Sequence, residues 1–320
     1  MSDAVEIVET LVHEVEAGRR GVLCVVVATR GSAPQAPGAM LCVDEAGQMT
    51  GTVGGGCVEA EILRRAHQML STGPSGLFTL DLDHDFGFDD GLICGGHMDV
   101  AICVISEAAE ARDLRMAAEL LRAGEAATLP VRVQTSAGLV EYRVHIEAPP
   151  KLVIAGGGHI GLALATLMPP LGFRVSVVDD RSRFANATRF PPPIEPVVGD
   201  IAETLRRWPM DANTYIVIVT RGHRHDEQAL AAVIGSRARY IGMIGSRRKI
   251  AVIYEDLRRQ GKTQEQLNRV HAPIGLDIKA VTPEEIAVSI AAELISIRRA
   301  DYHGVVEGPV PVPADAARRR

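Results

Sequence analysis

Near the middle of the chain, a glycine pattern constrains the fold more than any other feature of the sequence. A short apolar run, residues 151–155, leads into the pattern Gly-x-Gly-x-x-Gly at 156–161, and a small-residue helical pattern follows. A second apolar run, residues 173–178, ends on Asp179 and Asp180, the first of them 18 residues after the last glycine. Strand, glycine turn, helix, strand and acid within about 30 residues form a dinucleotide-binding βαβ unit. The pattern therefore predicts a Rossmann-type domain.

Each glycine of this turn has its own expected role. Gly156 permits the tight turn, Gly158 lets the backbone approach a pyrophosphate, and Gly161 lets helix and strand pack closely. The N-terminus of the next helix offers N–H groups and a partial positive charge to phosphates. We expect nucleotide contacts from the following residues: Gly156, Gly158, His159, Ile160, Gly161, Asp179, Asp180 and Arg181.

The identity of the nucleotide stays open at this point. Asp179 accepting from a ribose hydroxyl favours NAD, whereas Arg181 or Arg183 on a 2′-phosphate favours NADP. A Rossmann-like fold that has lost its nucleotide is the alternative. Residues at the end of a later apolar run, His223 and Asp226, follow the same strand-end rule and are candidate catalytic residues, although Asp226 would equally suit helix capping.

The chain of 320 residues is long enough for two domains, and the glycine turn lies at its midpoint. We predict an α/β protein with a C-terminal Rossmann-type doubly wound parallel sheet, preceded by a separate mixed α/β N-terminal domain. The predicted boundaries are 1–148 and 149–304, with a flexible tail over 305–320, where prolines and terminal arginines replace any periodic pattern.

Composition and charge exclude several classes of function. No apolar run reaches the ~18 residues of a membrane span, and the N-terminus lacks a basic and apolar leader. The five cysteines form no disulfide framework, so we expect a reduced, cytoplasmic protein. Residues 151–320 carry 24 Lys/Arg against 18 Asp/Glu, a net of +6, but only 4% of the chain is aromatic. This favours an anionic small ligand over nucleic acid.

Two glycine–cysteine segments stand out in the N-terminal half. The first, Gly54-Gly55-Gly56-Cys57-Val58-Glu59, opens a helical pattern, so bare N–H groups at a helix start attract an anion and favour the Cys57 thiolate. The second is Cys94-Gly95-Gly96, between two predicted strands. The alternative is a tight strand–helix turn around a buried, inert cysteine. Cys57 and Cys94 are therefore candidate ligand-contacting or catalytic residues.

A dedicated metal site is not expected. The acidic stretch 81–90 fails the EF-hand pattern at its glycine position and lacks the closing glutamate. Cys94 and His97, taken with Cys57, lack the second paired ligand that a zinc site needs.

The order of these segments resembles the xanthine dehydrogenase accessory proteins, the XdhC/CoxI family. The resemblance covers about residues 5–300 and rests on several segments in one order. They are Gly31-Ser-Ala-Pro, Gly51-Thr-Val-Gly-Gly-Gly-Cys57-Val-Glu59, Cys94-Gly-Gly, the glycine turn at 156–161, Arg221-Gly-His-Arg-His-Asp226, Tyr240-Ile-Gly-Met-Ile-Gly-Ser and 274–288.

The resemblance implies a protein that holds molybdenum cofactor (molybdopterin) as transient cargo and helps its sulfuration and insertion into a molybdenum hydroxylase. The implied partners are the apo-subunit of that hydroxylase and a cysteine desulfurase, and we expect a homodimer. Carried over to this chain, the implied cofactor contacts are Gly54, Gly55, Gly56, Cys57, Glu59, Cys94, Gly95 and Gly96. The alternatives are an NAD(P)-dependent oxidoreductase acting on a small substrate and a nucleotide-sensing regulator without chemistry, so enzymatic activity stays open.

Overall fold

The computed structural model describes residues 4–73, 75–82, 96–106, 108–300 and 305–312. The chain divides into two compact units, one formed by Met1–Ala148 with His303–Arg320 and the other by Pro149–Tyr302. No helix within these described ranges is both long and apolar enough to cross a membrane.

The first unit is built on a mostly antiparallel sheet. Its order over the described residues is β14-β7-β6-β4-β5-β1-β2-β3, and only β4 and β6 run parallel. The elements before the second unit are α1 (Ala4–Glu16), β1 (Gly21–Arg30), β2 (Met40–Val43), β3 (Met49–Gly51), α2 (Gly56–Thr72), β4 (Gly76–Asp81), β5 (His97–Ile105), α3 (Ala108–Ala123), β6 (Ala127–Thr135) and β7 (Gly138–Ile146). The last strand, β14 (Val306–Pro311), follows the second unit in the chain.

Strand β1 shows why the sequence forms this unit. Its run of consecutive apolar residues is buried on both faces of the sheet, as such runs generally are. Leu23 and Val25 pack into the core with α1 and α3, while Val22 and Val26 pack into the core with α2. The unit is thus a three-layer arrangement with helices on either side of the sheet.

The predicted flexible tail needs a correction. Residues Val306–Pro311 form β14, which pairs antiparallel with β7 and covers what would otherwise be an open sheet edge. Just before the strand, the Val305 side chain lies so close to Gly38 that a Cβ at Gly38 would be 2.3 Å from Val305 Cγ1. A segment forms an edge strand only where the fold offers it a partner strand. The proline-rich composition of the segment therefore did not predict β14.

The second unit is an open parallel sheet of the order β10-β9-β8-β11-β12-β13. Counted from its first strand, this is the order 3-2-1-4-5-6 of dinucleotide-binding folds. Its elements are β8 (Lys151–Ala155), α4 (His159–Leu167), β9 (Arg174–Asp179), β10 (Glu195–Val198), α5 (Ile201–Arg207), β11 (Thr214–Ile218), α6 (Gly222–Val233), β12 (Tyr240–Met243), α7 (Arg247–Arg259), α8 (Gln264–Asn268), β13 (Val270–His271) and α9 (Pro283–Ala300).

Helices cover both faces of this sheet. Residues of α5, α6 and α7, among them Leu205, Leu230 and Ile253, share one core with the strands, whereas Leu164 of α4 and Ile290 of α9 share the other. The predicted fold class, a doubly wound Rossmann sheet after a mixed α/β unit, is therefore confirmed. The strand order changes direction between β8 and β11, and sheets of this kind bind ligands at that point, beyond the carboxyl ends of the strands.

Candidate functional site

The triple-glycine turn of the first unit has a backbone that other residues rarely adopt. Gly54, Gly55 and Gly56 have φ angles of 139°, 70° and 58°. Residues with a Cβ are disfavoured in this region, which explains the glycine run. Helix α2 begins at Gly56, so Cys57 lies in its first turn, as the sequence predicted.

The carboxylate of Glu59 is hydrogen-bonded to residues of this turn. Its Oε2 accepts hydrogen bonds from the Thr52 hydroxyl at 2.6 Å and from the N–H groups of Val53 and Gly55, each at 3.3 Å. The Gly54 N–H donates to the Thr52 hydroxyl at 3.3 Å. The N–H groups of Val53, Gly54 and Gly55 are thus hydrogen-bonded within the turn, so two of the three glycine N–H groups predicted to be bare are not, and Glu59 stabilises the turn.

Three other backbone donors remain at the start of α2. The N–H groups of Gly56, Cys57 and Val58 have no hydrogen-bond acceptor among the described residues. Together with the partial positive charge of a 17-residue helix, they favour a negatively charged group near Cys57.

Cys57 differs in exposure from the other cysteines that the structure describes. Cys24, Cys42 and Cys103 are buried, whereas Cys57 is only half-buried. Burial raises the pKa of Cys24 far above its usual range and the pKa of Cys42 and of Cys103 to about 11. Those three are core residues, and Cys57 is not sealed in apolar packing.

The loop after β1 lies against both glycine–cysteine segments. A Cβ at Gly54 would be 2.8 Å from Pro34 Cγ, and a Cβ at Gly96 would be 2.3 Å from the Ser32 carbonyl oxygen. Residues 31–38 therefore contact the triple-glycine turn on one side and the end of the second glycine–cysteine segment on the other. Cys94 and Gly95 lie outside the described residues, so the structure does not place the second thiol.

Metal ligands do not cluster in the described part of the chain. No group of three His, Cys, Asp or Glu side chains there is arranged to hold an ion. The imidazole of His97 pairs through Nδ1 with the Asp81 carboxylate, and both side chains are exposed.

The glycine turn of the second unit has the close contacts that its pattern predicts. Gly156 has φ 114°, and a Cβ there would be 2.5 Å from the Val219 carbonyl oxygen. A Cβ at Gly161 would be 1.9 Å from the Gly156 carbonyl oxygen, so helix α4 packs on its strand only without a side chain.

By contrast, a Cβ at Gly158 would meet nothing within 4 Å. The N–H groups of Gly158, His159 and Ile160 have no acceptor among the described residues. Open space beside free donors at a helix start is what a phosphate group needs.

Asp179 lies at the end of β9, but its carboxylate is already bound. Oδ2 accepts from the Gly157 N–H at 2.9 Å and from Arg181 Nη2 at 2.9 Å, while Oδ1 accepts from the Arg181 N–H at 3.0 Å and from Arg181 Nε at 2.9 Å. Burial alone would raise the pKa of Asp179, but the bonds from Arg181 and Gly157 outweigh it, so the pKa lies below its usual value. The side chain is 1% exposed and is not offered to a ribose in this structure.

A cavity of ≈ 270 Å³ opens at the carboxyl ends of the strands. This is slightly below the ~300 Å³ at which typical small-molecule sites begin. Asp180 and Arg221 pair across it, Arg221 Nη2 to Asp180 Oδ2, at 2.7 Å. The lining residues are Gly156, Gly158, His159, Asp179, Asp180, Arg181, Phe184, Ile201, Val219, Thr220, Arg221 and His225.

Of the two candidate catalytic residues near β11, neither lines this cavity. His223 is exposed in the first turn of α6, and Asp226 is fully buried. Asp226 accepts from the Thr220 hydroxyl at 2.6 Å and pairs with Lys249 of α7. It therefore connects α6 both to the segment after β11 and to α7. Instead, His225, also in the first turn of α6, lines the cavity. The sequence did not distinguish it from His223, because which side of a helix faces a cavity depends on how that helix packs on the sheet.

A further hydrogen-bonded cluster connects α9 to β12 and β13. Glu293 of α9 accepts from the Tyr240 hydroxyl at 2.5 Å and the Gly275 N–H at 2.7 Å, and its other oxygen is 3.1 Å from His271 Nδ1. Burial opposes ionisation of Glu293, but the hydrogen bonds from His271, Tyr240 and Gly275 lower its pKa.

The fold and the cavity define a two-unit protein, in which a Rossmann-type unit with a cavity at its strand ends follows a unit that presents a cysteine at a helix start. Comparison with known families agrees. The XdhC Rossmann domain matches residues 152–294, and the XdhC and CoxI family pattern matches residues 14–81. The chain belongs to the XdhC and CoxI family.

Three curated proteins are similar over most of this chain. YqeB of Escherichia coli, described as uncharacterized, is 28% identical over 89% of the chain, which spans only 44% of that relative. A Bacillus subtilis protein, described as a probable xanthine dehydrogenase component, is 24% identical over 87% of this chain and 93% of its own. The molybdenum cofactor insertion chaperone PaoD of Escherichia coli is 24% identical over 90% of this chain and 86% of its own.

A crystal structure shares the fold. It is described as a xanthine dehydrogenase from Bacillus halodurans and superimposes with a TM-score of 0.81 at 22% identity, covering 93% of this chain and 96% of that one.

Proposed function

We propose that this chain is an accessory protein that binds molybdenum cofactor and assists its insertion into a molybdenum hydroxylase. One observation carries the proposal: Cys57 is half-buried rather than sealed, in a helix turn with three N–H groups that lack acceptors among the described residues. A thiolate suits a soft molybdenum centre, and the N–H groups suit the phosphate of the pterin. The names of the Bacillus subtilis and PaoD relatives support the same role.

The cargo contacts follow from this placement. Gly54, Gly55 and Gly56 keep the backbone free of side chains, Cys57 supplies the thiol, and Glu59 holds the turn that presents them. Gly96, packed on Ser32, ends the segment that carries Cys94 and Gly95, and we assign that segment to the same cargo.

In this proposal the second unit binds a nucleotide, NAD(P) or another adenine nucleotide. The open space at Gly158 and the free N–H groups of His159 and Ile160 support a phosphate there, with Gly156 and Gly161 shaping the turn. The partners are the apo-subunit of the hydroxylase and a cysteine desulfurase that supplies the terminal sulfur, and the chain acts as a cytoplasmic homodimer.

The decisive experiment is co-purification of pterin. The Cys57→Ala variant and the wild type are purified from a molybdate-replete host, and released pterin is measured by mass spectrometry. We expect a loss of bound pterin in Cys57→Ala and a shortage of cofactor in the partner dehydrogenase. Cys103→Ala is the matched control, since its thiol is buried away from the turn.

Equal pterin in Cys57→Ala and the wild type would contradict the proposal. Steady oxidation of reduced nicotinamide with a small substrate, without any partner protein, would instead identify an oxidoreductase. Tight nucleotide binding with no pterin in the wild type would identify a regulator.

A further inference from the structure

Asp179 lies where the acid of many Rossmann sites accepts a hydrogen bond from the ribose, but in this chain its carboxylate has no acceptor capacity left. A carboxylate offers about four lone-pair sites, and Asp179 receives four hydrogen bonds, three of them from Arg181. A ribose diol could bind Asp179 only by displacing a bidentate guanidinium, which is among the stronger hydrogen-bonded pairs in proteins. The NAD type of recognition, in which the acid accepts from the 2′-hydroxyl, is therefore blocked.

At this edge of the cavity, three guanidinium groups lie around the ring of Phe184, a lining residue. Arg181 lies over the Phe184 ring at 3.8 Å, and Arg183 and Arg189 lie 5.0 Å and 5.4 Å from its centroid. Arg181 forms its hydrogen bonds and ion pairs through Nε, Nη2 and its backbone N–H, and Nη1 has no hydrogen-bond partner among the described residues.

Charge at this edge also favours an anion. Asp179 and Asp180 are matched by Arg181 and Arg221, which leaves the charges of Arg183 and Arg189 in excess. Arg189 is held in place by the backbone, since its Nε donates to the Gly157 carbonyl at 3.2 Å. An uncharged ribose edge would leave this excess positive charge without a partner.

We propose that the cavity selects a nucleotide whose ribose carries a 2′-phosphate over one with a free 2′-hydroxyl, and that Arg181 determines this choice. The inference rests on the proposed nucleotide binding by the second unit. Arg181 acts in two ways: it occupies Asp179, and it offers Nη1 to the phosphate beside Arg183. Arginine suits both contacts because its planar fork binds carboxylate and phosphate alike.

Isothermal titration of the full chain with NADP⁺ and with NAD⁺ tests the choice. We expect NADP⁺ to bind about tenfold or more tightly than NAD⁺, the effect of one or two charge-assisted hydrogen bonds. In Arg181→Ala the preference should disappear or reverse, because the phosphate loses its contact while Asp179 regains free acceptors. A role in folding alone would lower both affinities together.

The control is Arg237→Ala, which removes an equal charge from an exposed site before β12, a strand separated from β9 by β8 and β11. It should keep the wild-type preference. If Arg181→Ala does not fold, Arg181→Lys keeps the charge but cannot bind both oxygens of Asp179, and it should reduce the preference.

Equal or tighter binding of NAD⁺ by the wild type would overturn this inference and leave the proposed nucleotide binding intact. An Arg181→Lys or Arg181→Ala variant with unchanged preference would also overturn it. If neither nucleotide binds, both the inference and the nucleotide part of the proposed function fail, while the pterin measurement still decides the cargo.

Discussion

The Thr52 hydroxyl donates a 2.6 Å hydrogen bond to the Glu59 carboxylate, and this contact ties the end of β3 to the first turn of α2. It gives Glu59 a structural role at the place where the sequence suggested a cofactor contact. The three glycines between these residues adopt their unusual backbone against this anchor, and Cys57 is presented at a set position.

Removing the anchor should loosen the turn. Glu59→Ala leaves the donors of Thr52, Val53 and Gly55 without their acceptor, which should cost about 1–3 kcal/mol of unfolding free energy. Urea denaturation measures the change, and pterin retention should fall with it. Glu119→Ala, at an exposed position of α3, is the control, and equal stability of the two variants would refute the structural role.

Thiol reactivity should separate Cys57 from the core cysteines. Iodoacetamide at pH 8 should label Cys57 in the native protein at least tenfold faster than Cys24, Cys42 or Cys103, because those thiols are buried and burial raises their pKa. Peptide mapping by mass spectrometry gives the rates, and labelling in urea is the control that should equalise them. Protection of Cys57 in the native state would place it in the core.

Two glycines of the second unit should respond differently to the same substitution. Gly161→Ala puts a methyl 1.9 Å from the Gly156 carbonyl oxygen, and we expect a loss of about 1–3 kcal/mol of stability or more. Gly158→Ala meets nothing within 4 Å, so it should fold normally but weaken nucleotide binding by filling the space beside the free N–H groups.

Thermal unfolding and nucleotide titration together check this pair. Each variant serves as the control for the other, since the covalent change is identical. A stable Gly161→Ala protein, or a Gly158→Ala protein with full nucleotide affinity, would contradict the assigned roles.

Acid should remove the contribution of Glu293 to stability. The pKa of this carboxyl is lower in the folded chain than its usual value of 4.5, so the ionised form stabilises the fold at neutral pH. That contribution is fully present above the usual value and is lost as pH falls through the lowered one.

Glu293→Gln should therefore be less stable than the wild type at pH 7, by about 1–3 kcal/mol, and the difference should shrink as the pH falls below about 4. Urea denaturation at several pH values measures this difference in unfolding free energy. Glu265→Gln, on the exposed side of α8, should show little difference at any pH. A gap between Glu293→Gln and the wild type that stays constant with pH would show that the charge of Glu293 plays no part.

Local patterns were sufficient for much of the architecture. The glycine pattern with Asp179 predicted the βαβ unit, and the glycine run before Cys57 predicted the start of α2, because turn geometry and periodicity depend on neighbouring residues.

What the sequence by itself determined is thus the Rossmann class of the second unit and the helix start that carries Cys57. Only the tertiary structure decided which polar groups gain partners distant in the chain: Gly157, 22 residues away, donates the fourth hydrogen bond to Asp179, and Lys249, 23 residues away, pairs with Asp226. The physical reason is that periodicity and turn geometry are local properties, whereas hydrogen-bond partners distant in the chain meet only once the strands have assembled. For the same reason, only the fold placed Val306–Pro311 on the edge of β7.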